Sequence, residues 1–333
     1  MSNNEIFIYG EITKEGRFAD VVVELLGVAN GLKEKLENSK ITVWAPINAE
    51  GKHSEYAQLL AKYGCDRLII LDNCEFAHYS TDVFAKVSVD VIKENEPAIV
   101  LIGATVQGRD LAPKISTALA TGLTADCTGL DINEAGQLAA TRPTFGGNLM
   151  ATILCHNLPQ MATVRPNVFV KKELQQETIP SVEVRELDCS KLAKRVELCD
   201  IIPLPKLADT NLQEAQIIVA GGRGMKNLEG FELIKKLAQI LGGSPAATRA
   251  AVDLNIAPPE IQIGQTGKTV SPKIYIACGI SGAIQHTVGM NSSEVVIAIN
   301  NNPKAKIFEI SDYAIVGDVF EILPRWIELL SKK

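Results

Sequence analysis

The 333-residue chain has no Cys-x-x-Cys pair. Its seven cysteines (Cys65, Cys74, Cys127, Cys155, Cys189, Cys199 and Cys278) are odd in number and scattered. That pattern lacks zinc or iron–sulfur spacing and points to a reducing compartment. Positive charge is not in excess either, since the net charge is −6 with a pI near 5.4. Binding to a nucleic-acid backbone is therefore excluded as a main task, and any acidic small ligand must be met by local basic residues. No apolar run approaches the ~20 residues that a membrane span requires, so no membrane insertion is expected. Met1 to Asn4 leads straight into the strand-like Ile6-Phe7-Ile8-Tyr9, from which no signal or transit peptide, and a cytoplasmic location, are expected. The apolar content, at 46%, is sufficient for a core in each of two domains.

The first half alternates strands with helices. Ile6 to Tyr9, Ile41 to Trp44, Arg67 to Leu71 and Ala98 to Ile102 read as strands. Between them, apolar residues recur at helical spacing, as at Phe18, Val21, Val22, Leu25, Leu32 and Leu36. Such alternation implies right-handed β-α-β units and a parallel sheet. From Leu123 the pattern changes to short strands: Leu123–Ile132, a turn at Asn133 to Gly136, Gln137–Thr141, Leu149–Leu154 and Met161–Val164. These predict a β-meander appended to, or extending, the parallel sheet. G-x-G-x-x-G is missing after the first strand, where Gly10-Glu11-Ile12 opens a polar loop. The polar turn Gly103 to Asp110 is this half's one candidate ligand position, and a structural or partner-facing role is the stronger reading. Asp200 to Thr210, with Pro203 and Pro205, reads as an inter-domain linker and a hinge, dividing domains 1–205 and 206–333.

A second β-α-β series follows. Gln216 to Ala220 is a strand, Gly221-Gly222-Arg223-Gly224 a glycine turn, and Phe231 to Leu241 a helix. The turn allows close backbone approach, and Arg223 is placed to fork onto a phosphate. Lys273 to Cys278 is an apolar strand entering Gly279-Ile280-Ser281-Gly282, from which a helix capped by Ser281 is predicted to start at Ala283 and to carry His286 in its first turn. A strand, a glycine turn and a helix start form an anion site, most often for a pyrophosphate. Gly267-Lys268-Thr269 suggests a P-loop, but the motif's first glycine falls on Gln262, and Ser271-Pro272 and a strand follow where a helix is needed. Further strands are predicted at Glu294 to Asn300, Ile307 to Ile310 and Tyr313 to Val316, before a closing helix, Val319 to Leu330, that Pro324 would kink or restart. Asn300, Asp318, Arg223 and Ser281 thus all lie at carboxyl ends of strands, which favours a bound dinucleotide.

G-G-R-G at Gly221, T-R-A-A-V-D at Thr248, I-G-Q-T-G-K at Ile263, G-I-S-G-A-I-Q-H at Gly279, A-I-N at Ala298 and Y-A-I-V-G-D at Tyr313 together resemble the FAD domain of electron transfer flavoprotein alpha subunits. The order and spacing match throughout the last third, and the first half resembles the family's amino-terminal domain. The resemblance implies an α/β fold of two Rossmann-like domains with parallel sheets, the first extended by the β-meander and contacting a beta subunit, the second binding FAD. It implies a heterodimer that carries electrons between flavin dehydrogenases and a further acceptor, with no bond-making catalytic residue of its own.

Position by position, the resemblance puts Arg223 and the backbone of Ser281, Gly282 and Ala283, leading into Ile284 and Gln285, on the FAD pyrophosphate. Thr248 contacts the cofactor where the family usually has serine. Ile263 and Gly264 lead to Gln265 and Thr266, which face the isoalloxazine, with Thr266 on N5. Arg249 lies over the ring and His286 approaches its N1/C2 edge, while Asn300, Asp318 and Val319 hold the ribose and adenosine. A guanidinium, an imidazole and a helix N-terminus would each favour the negative charge that reduction brings.

Thr141 to Asn148 and Gln160 to Pro166 resemble the branch of the family that bifurcates electrons. In that branch NADH reduces a second flavin in the beta subunit, and the electrons divide between a ferredoxin or flavodoxin and the FAD of this domain. Arg142 or Arg165 is expected to reach toward that second flavin, and an acyl-CoA dehydrogenase is the expected further partner. The alternatives are a non-bifurcating carrier fed by acyl-CoA dehydrogenases, a self-contained flavin oxidoreductase, and an assembly module with a structural nucleotide. The oxidoreductase would need an acid/base pair, which the lone Cys155-His156 does not make.

Overall fold

The structure, a computed structural model, describes residues 4–144, 149–174, 177–188, 195–196, 198–200, 212 and 215–332. These fall into two compact units on either side of the break between Ile201 and Ile202. The boundary expected between 205 and 206, and the linker and hinge before Thr210, lie outside the described residues.

The first unit runs β1 (Ile6–Tyr9), α1 (Asp20–Lys33), β2 (Ile41–Ile47), α2 (His53–Ala61), β3 (Arg67–Asp72), α3 (Thr81–Asn95), β4 (Ile99–Gly103), α4 (Val106–Ala118), β5 (Leu123–Cys127), β6 (Gly129–Ile132), β7 (Leu138–Thr144), β8 (Leu149–Leu154), β9 (Gln160–Val164) and β10 (Ser181–Glu186). Seven of the strands form one sheet in the order β10-β3-β2-β1-β4-β9-β5, every pair parallel. Alternate residues of β1 feed opposite cores, as the two-residue period of a strand requires. Ile6 and Ile8 pack with Val22, Leu25 and Leu60 from α1 and α2. Phe7 and Tyr9 pack with Phe84, Val91 and Leu111 from α3 and α4.

The meander differs in detail from the sequence expectation. Leu123–Ile132 is not one strand but two, β5 and β6. The break follows Asp126, whose φ of 62° lies in the left-handed region and whose carboxylate is held by Arg165 at 2.7 Å and Arg109 at 3.3 Å. Those ion pairs offset the backbone strain of a non-glycine residue there. The strands β6, β7 and β8 then form a separate antiparallel sheet, while β5 and β9 join the parallel one. The predicted turn at Asn133 is present, its side chain accepting from the Ala135 and Gln137 N–H groups.

The second unit runs β11 (Ile217–Gly221), α5 (Leu228–Ile240), β12 (Ser244–Thr248), α6 (Arg249–Asp253), β13 (Gln262–Ile263), β14 (Ile274–Cys278), α7 (Ile284–Thr287), β15 (Val295–Asn300), β16 (Tyr313–Val316) and α8 (Val319–Ser331). Its six-stranded sheet has the order β13-β12-β11-β14-β15-β16, all parallel. The chain builds outward from β11 in one direction and restarts at β14 in the other. The crevice between these two strands is the topological switch point, where Rossmann-type sheets bind ligands.

Three local expectations are corrected. Lys306–Ile310 is a 3-10 turn rather than a strand. Helix α8 continues through Pro324 instead of kinking there or restarting. Its apolar face, including Leu323, Trp326, Ile327 and Leu330, packs on the core and outweighs one missing N–H. Helix α7 spans four residues only, and its N-cap is Ala283 with no side-chain cap, so Ser281 does not cap it.

Candidate functional site

At the switch point the glycine turns after β11 and β14 are stitched together. The Gly222 N–H donates to the Cys278 carbonyl at 2.9 Å, and the Gly224 N–H to that of Gly279 at 3.1 Å. A Cβ on Gly222 would lie 2.3 Å from the Gly279 oxygen, so only a residue without a side chain fits. Gly282, at φ +84°, meets the Ile307 nitrogen just as closely, with 2.2 Å to a built Cβ. Among the described residues, the backbone N–H groups of Arg223, Ser281 and Ala283 have no acceptor. Converging backbone N–H groups of this kind can bind an anion. Because α7 is so short, this anion site rests on loop N–H groups rather than on the helix dipole expected from the sequence.

Around the cradle is an open cleft of ≈ 1030 Å³. A dinucleotide-sized ligand needs a volume of about this order. Arg223, Thr248, Arg249, Ile263, Gly264, Gln265, Thr266, Ser281, Ala283, Gln285, His286 and Asn300 line it. Gly282, Ile284, Asp318 and Val319 do not. Asp318 instead caps α8, its carboxylate accepting the Phe320 N–H at 2.9 Å, and Val319 is buried beneath. Lys226, Lys304 and Lys306 also line the cleft and were not anticipated. Lys226 sits 4.7 Å above the Phe320 ring, and the two later lysines arrive because the Ile307 N–H donates to the Ser281 carbonyl. No sequence motif marks them. With Arg223 and Arg249 they make five basic groups against the single carboxylate of Asp253.

Several polar side chains have defined duties. The Thr248 hydroxyl accepts the Ala251 N–H at 3.4 Å and so caps α6. Arg249 pairs with Asp253 at 3.6 Å, both largely exposed, an i,i+4 contact of little energetic weight. Gln262 donates to the Thr266 hydroxyl at 3.0 Å, which leaves the hydroxyl proton for a ligand. Asn300 donates to the Ile280 carbonyl and accepts from the Asn302 N–H, so it braces the loop under the cradle. His286 is buried, with Nδ1 3.1 Å from the Ile263 carbonyl and Nε2 3.0 Å from the Tyr275 hydroxyl. Burial lowers its pKa from 6.5 to about 4, against a smaller raising effect of the Ile263 carbonyl. The imidazole is therefore neutral at pH 7 and is not one of the cleft's positive charges.

Among the described residues, the first unit offers no such cradle. At its own switch point, between β1 and β4, Thr105 donates to Glu11 at 2.6 Å while capping α4. A carboxylate there opposes an anion, and burial raises its pKa. Arg165 is engaged by Asp126, whereas Arg142 has a buried Nε without a partner among the described residues.

A Rossmann-order sheet with a glycine cradle and a basic cleft defines a dinucleotide-binding protein. Comparison with known proteins narrows the class. Residues 6–189 match the electron transfer flavoprotein domain, and residues 211–291 the electron transfer flavoprotein FAD-binding domain. The electron transfer flavoprotein subunit alpha of Thermoanaerobacterium thermosaccharolyticum is 45% identical over 98% of this chain and 98% of its own. Protein FixB of Clostridium saccharobutylicum is 45% identical over 97% and 95%. The lactate dehydrogenase (NAD(+),ferredoxin) subunit LctC of Acetobacterium woodii is 39% identical over 95% of this chain and 74% of its own. The chain belongs to the electron transfer flavoprotein alpha-subunit family, and its cofactor is FAD. The unpaired backbone donors and glycine cradle fit a pyrophosphate, and the basic lining fits its charge. Among the described residues no helix is long and apolar enough to cross a membrane.

Proposed function

We propose that this chain is the alpha subunit of a heterodimeric electron transfer flavoprotein and works beside a beta subunit. It holds FAD at the second unit's switch point and passes electrons between a flavin of the beta subunit and an acyl-CoA dehydrogenase-type partner. The observation that carries this reading is the cradle itself: unpaired N–H groups of Arg223, Ser281 and Ala283 at the crevice between β11 and β14. Arg223 and these donors bind the pyrophosphate, with Gly282, Ile284 and Gln285 shaping the loop behind them. Thr248 steadies α6 so that Arg249 lies over the isoalloxazine. Ile263, Gly264 and Gln265 bring Thr266 to N5, where its unengaged hydroxyl proton can be donated. His286 stands at the N1/C2 edge as a neutral ring. Asn300 orients the ribose end through the 280s loop, with Asp318 and Val319 beyond it. When bound, FAD supplies the electron-transfer chemistry, and the protein supplies placement and a positive surrounding field.

Within this function we place electron bifurcation, driven by NADH and delivering one electron to ferredoxin or flavodoxin. Support comes from the LctC relative, whose name couples NAD(+) to ferredoxin, and from a relative named acryloyl-CoA reductase electron transfer subunit beta, of Anaerotignum propionicum, at 39% identity. Arg142, whose buried Nε has no partner among the described residues, is the arginine we assign to the beta subunit's flavin, because Arg165 is committed to Asp126. Co-expression with the beta subunit tests both layers. Two flavins per heterodimer and NADH-driven ferredoxin reduction are expected. One flavin and no ferredoxin reduction would leave a simple carrier, and a colourless complex that takes up no FAD would end the whole reading.

A further inference from the structure

His286 lines the cleft, yet neither ring nitrogen is free for a ligand. Nδ1 faces the Ile263 carbonyl oxygen at 3.1 Å, and Nε2 faces Tyr275 Oη at 3.0 Å. A carbonyl only accepts, so Nδ1 carries the proton. In the neutral ring Nε2 is then an acceptor, and the tyrosine hydroxyl is its donor. Tyr275 comes from β14, fully buried, and its hydroxyl has no other hydrogen-bond partner among the described residues. Were the ring an imidazolium, Nε2 would donate, Tyr275 would have to accept, and the tyrosine proton would be stranded away from water. The hydroxyl therefore opposes the charged ring, in the same direction as burial.

We propose that Tyr275 is a positioning residue of the cofactor site, holding His286 as a neutral Nδ1–H imidazole so that the ring adds no positive charge beside the flavin. The surroundings agree with this from every side. β13 presents the Ile263 carbonyl, and α7 itself carries no charged residue besides the histidine in question. From β14 come Tyr275 and the buried Cys278, a thiol pushed up to about 12 and so uncharged. The charged groups of the cleft are Arg223, Lys226, Arg249, Asp253, Lys304 and Lys306, and none of them pairs with the ring. The compensating charge for a reduced cofactor thus falls to the arginines and lysines. The effect on the flavin depends on FAD lying as proposed above, whereas the lock on the ring does not.

The test uses the FAD-loaded heterodimer with nitrogen-15 histidine. His286 is the one buried histidine of the chain's four, and its signals are those lost in His286→Asn. Through the neutral range the wild type should show a protonated Nδ1 and an unprotonated Nε2. Tyr275→Phe should bind protons at His286 about tenfold more tightly, the order expected when an opposing buried hydroxyl is removed. Its flavin midpoint potential should rise above wild type by a margin that grows as pH falls. An imidazolium or an Nε2–H tautomer in the wild type at neutral pH overturns the proposal. So does a Tyr275→Phe variant with an unchanged His286 titration and a potential difference constant across pH. Should that variant not fold, the wild-type spectrum still decides. If FAD leaves the His286 signals unmoved while Tyr275→Phe shifts them, the lock stands and the placement of the flavin fails.

Discussion

Gly222→Ala should abolish tight FAD binding. The alanine Cβ would lie 2.3 Å from the Gly279 oxygen and 2.9 Å from both the Gly279 carbonyl carbon and the Ile280 Cα. Non-bonded carbons prefer roughly 3.5–4.0 Å, so the two turns must part by about 1 Å. All three obstructing atoms are backbone, and no rotamer change relieves them. Gly222 itself has φ −98°, which alanine accepts, so the conflict is steric and not conformational. Parting the turns lengthens the Gly222–Cys278 and Gly224–Gly279 hydrogen bonds. At ~1 kcal/mol for each bond, on top of ~1–3 kcal/mol for overpacking, the loss is about 3–5 kcal/mol. If most of it falls on the bound geometry, FAD affinity drops by roughly a hundredfold or more. The assay is flavin content of the purified heterodimer, FAD titration of the stripped protein, and thermal unfolding. Gly31→Ala is the control, because a Cβ there meets nothing within 4 Å and the residue lies within α1. It should leave FAD binding intact and stabilise the chain by about 0.5–1 kcal/mol. Wild-type affinity and an unchanged midpoint in Gly222→Ala would refute the packing argument.

Three further outcomes are expected. His286 titrates near 6.5 when unfolded and about 4 when folded, so its contribution is complete above 6.5 and is lost as pH falls toward 4. Urea unfolding of the wild type should therefore lose about 3 kcal/mol across that window beyond what His286→Asn loses. Thr248→Ala removes the cap on Ala251 and should cost about 0.5–1 kcal/mol while weakening FAD binding, and Thr248→Ser should restore both. Arg142→Ala should change the absorption spectrum or reduction titration of the beta subunit's flavin, and unchanged titrations of both flavins would remove Arg142 from the interface.

The parallel-sheet units were legible because each central strand is a short apolar run between turn residues, and each intervening helix repeats its apolar face. The rim glycines were legible as turns, and Arg223, Thr248 and Thr266, which the resemblance puts on the cofactor, line the cleft. The break at Asp126 was not legible. It depends on arginines 17 and 39 residues away that support a left-handed backbone. Asp318 was read as one more polar rim residue, but a carboxylate directly before a helix is drawn to that helix's free N–H groups.

His286 shows the division most sharply. By itself the sequence determined that a histidine follows a glycine turn at the end of a buried strand. It also determined that cations and small residues gather at the same strand ends, since these follow from local pattern and chain order. Only the tertiary structure decided the ring's charge, by bringing the Ile263 carbonyl from β13 and the Tyr275 hydroxyl from the far end of β14 onto its nitrogens and shutting out water. Only the tertiary structure, too, brought Lys304 and Lys306 to the cleft, by pairing Ile307 with Ser281. Desolvation and long-range pairing depend on what surrounds a group in space, and neighbours in the chain do not specify that.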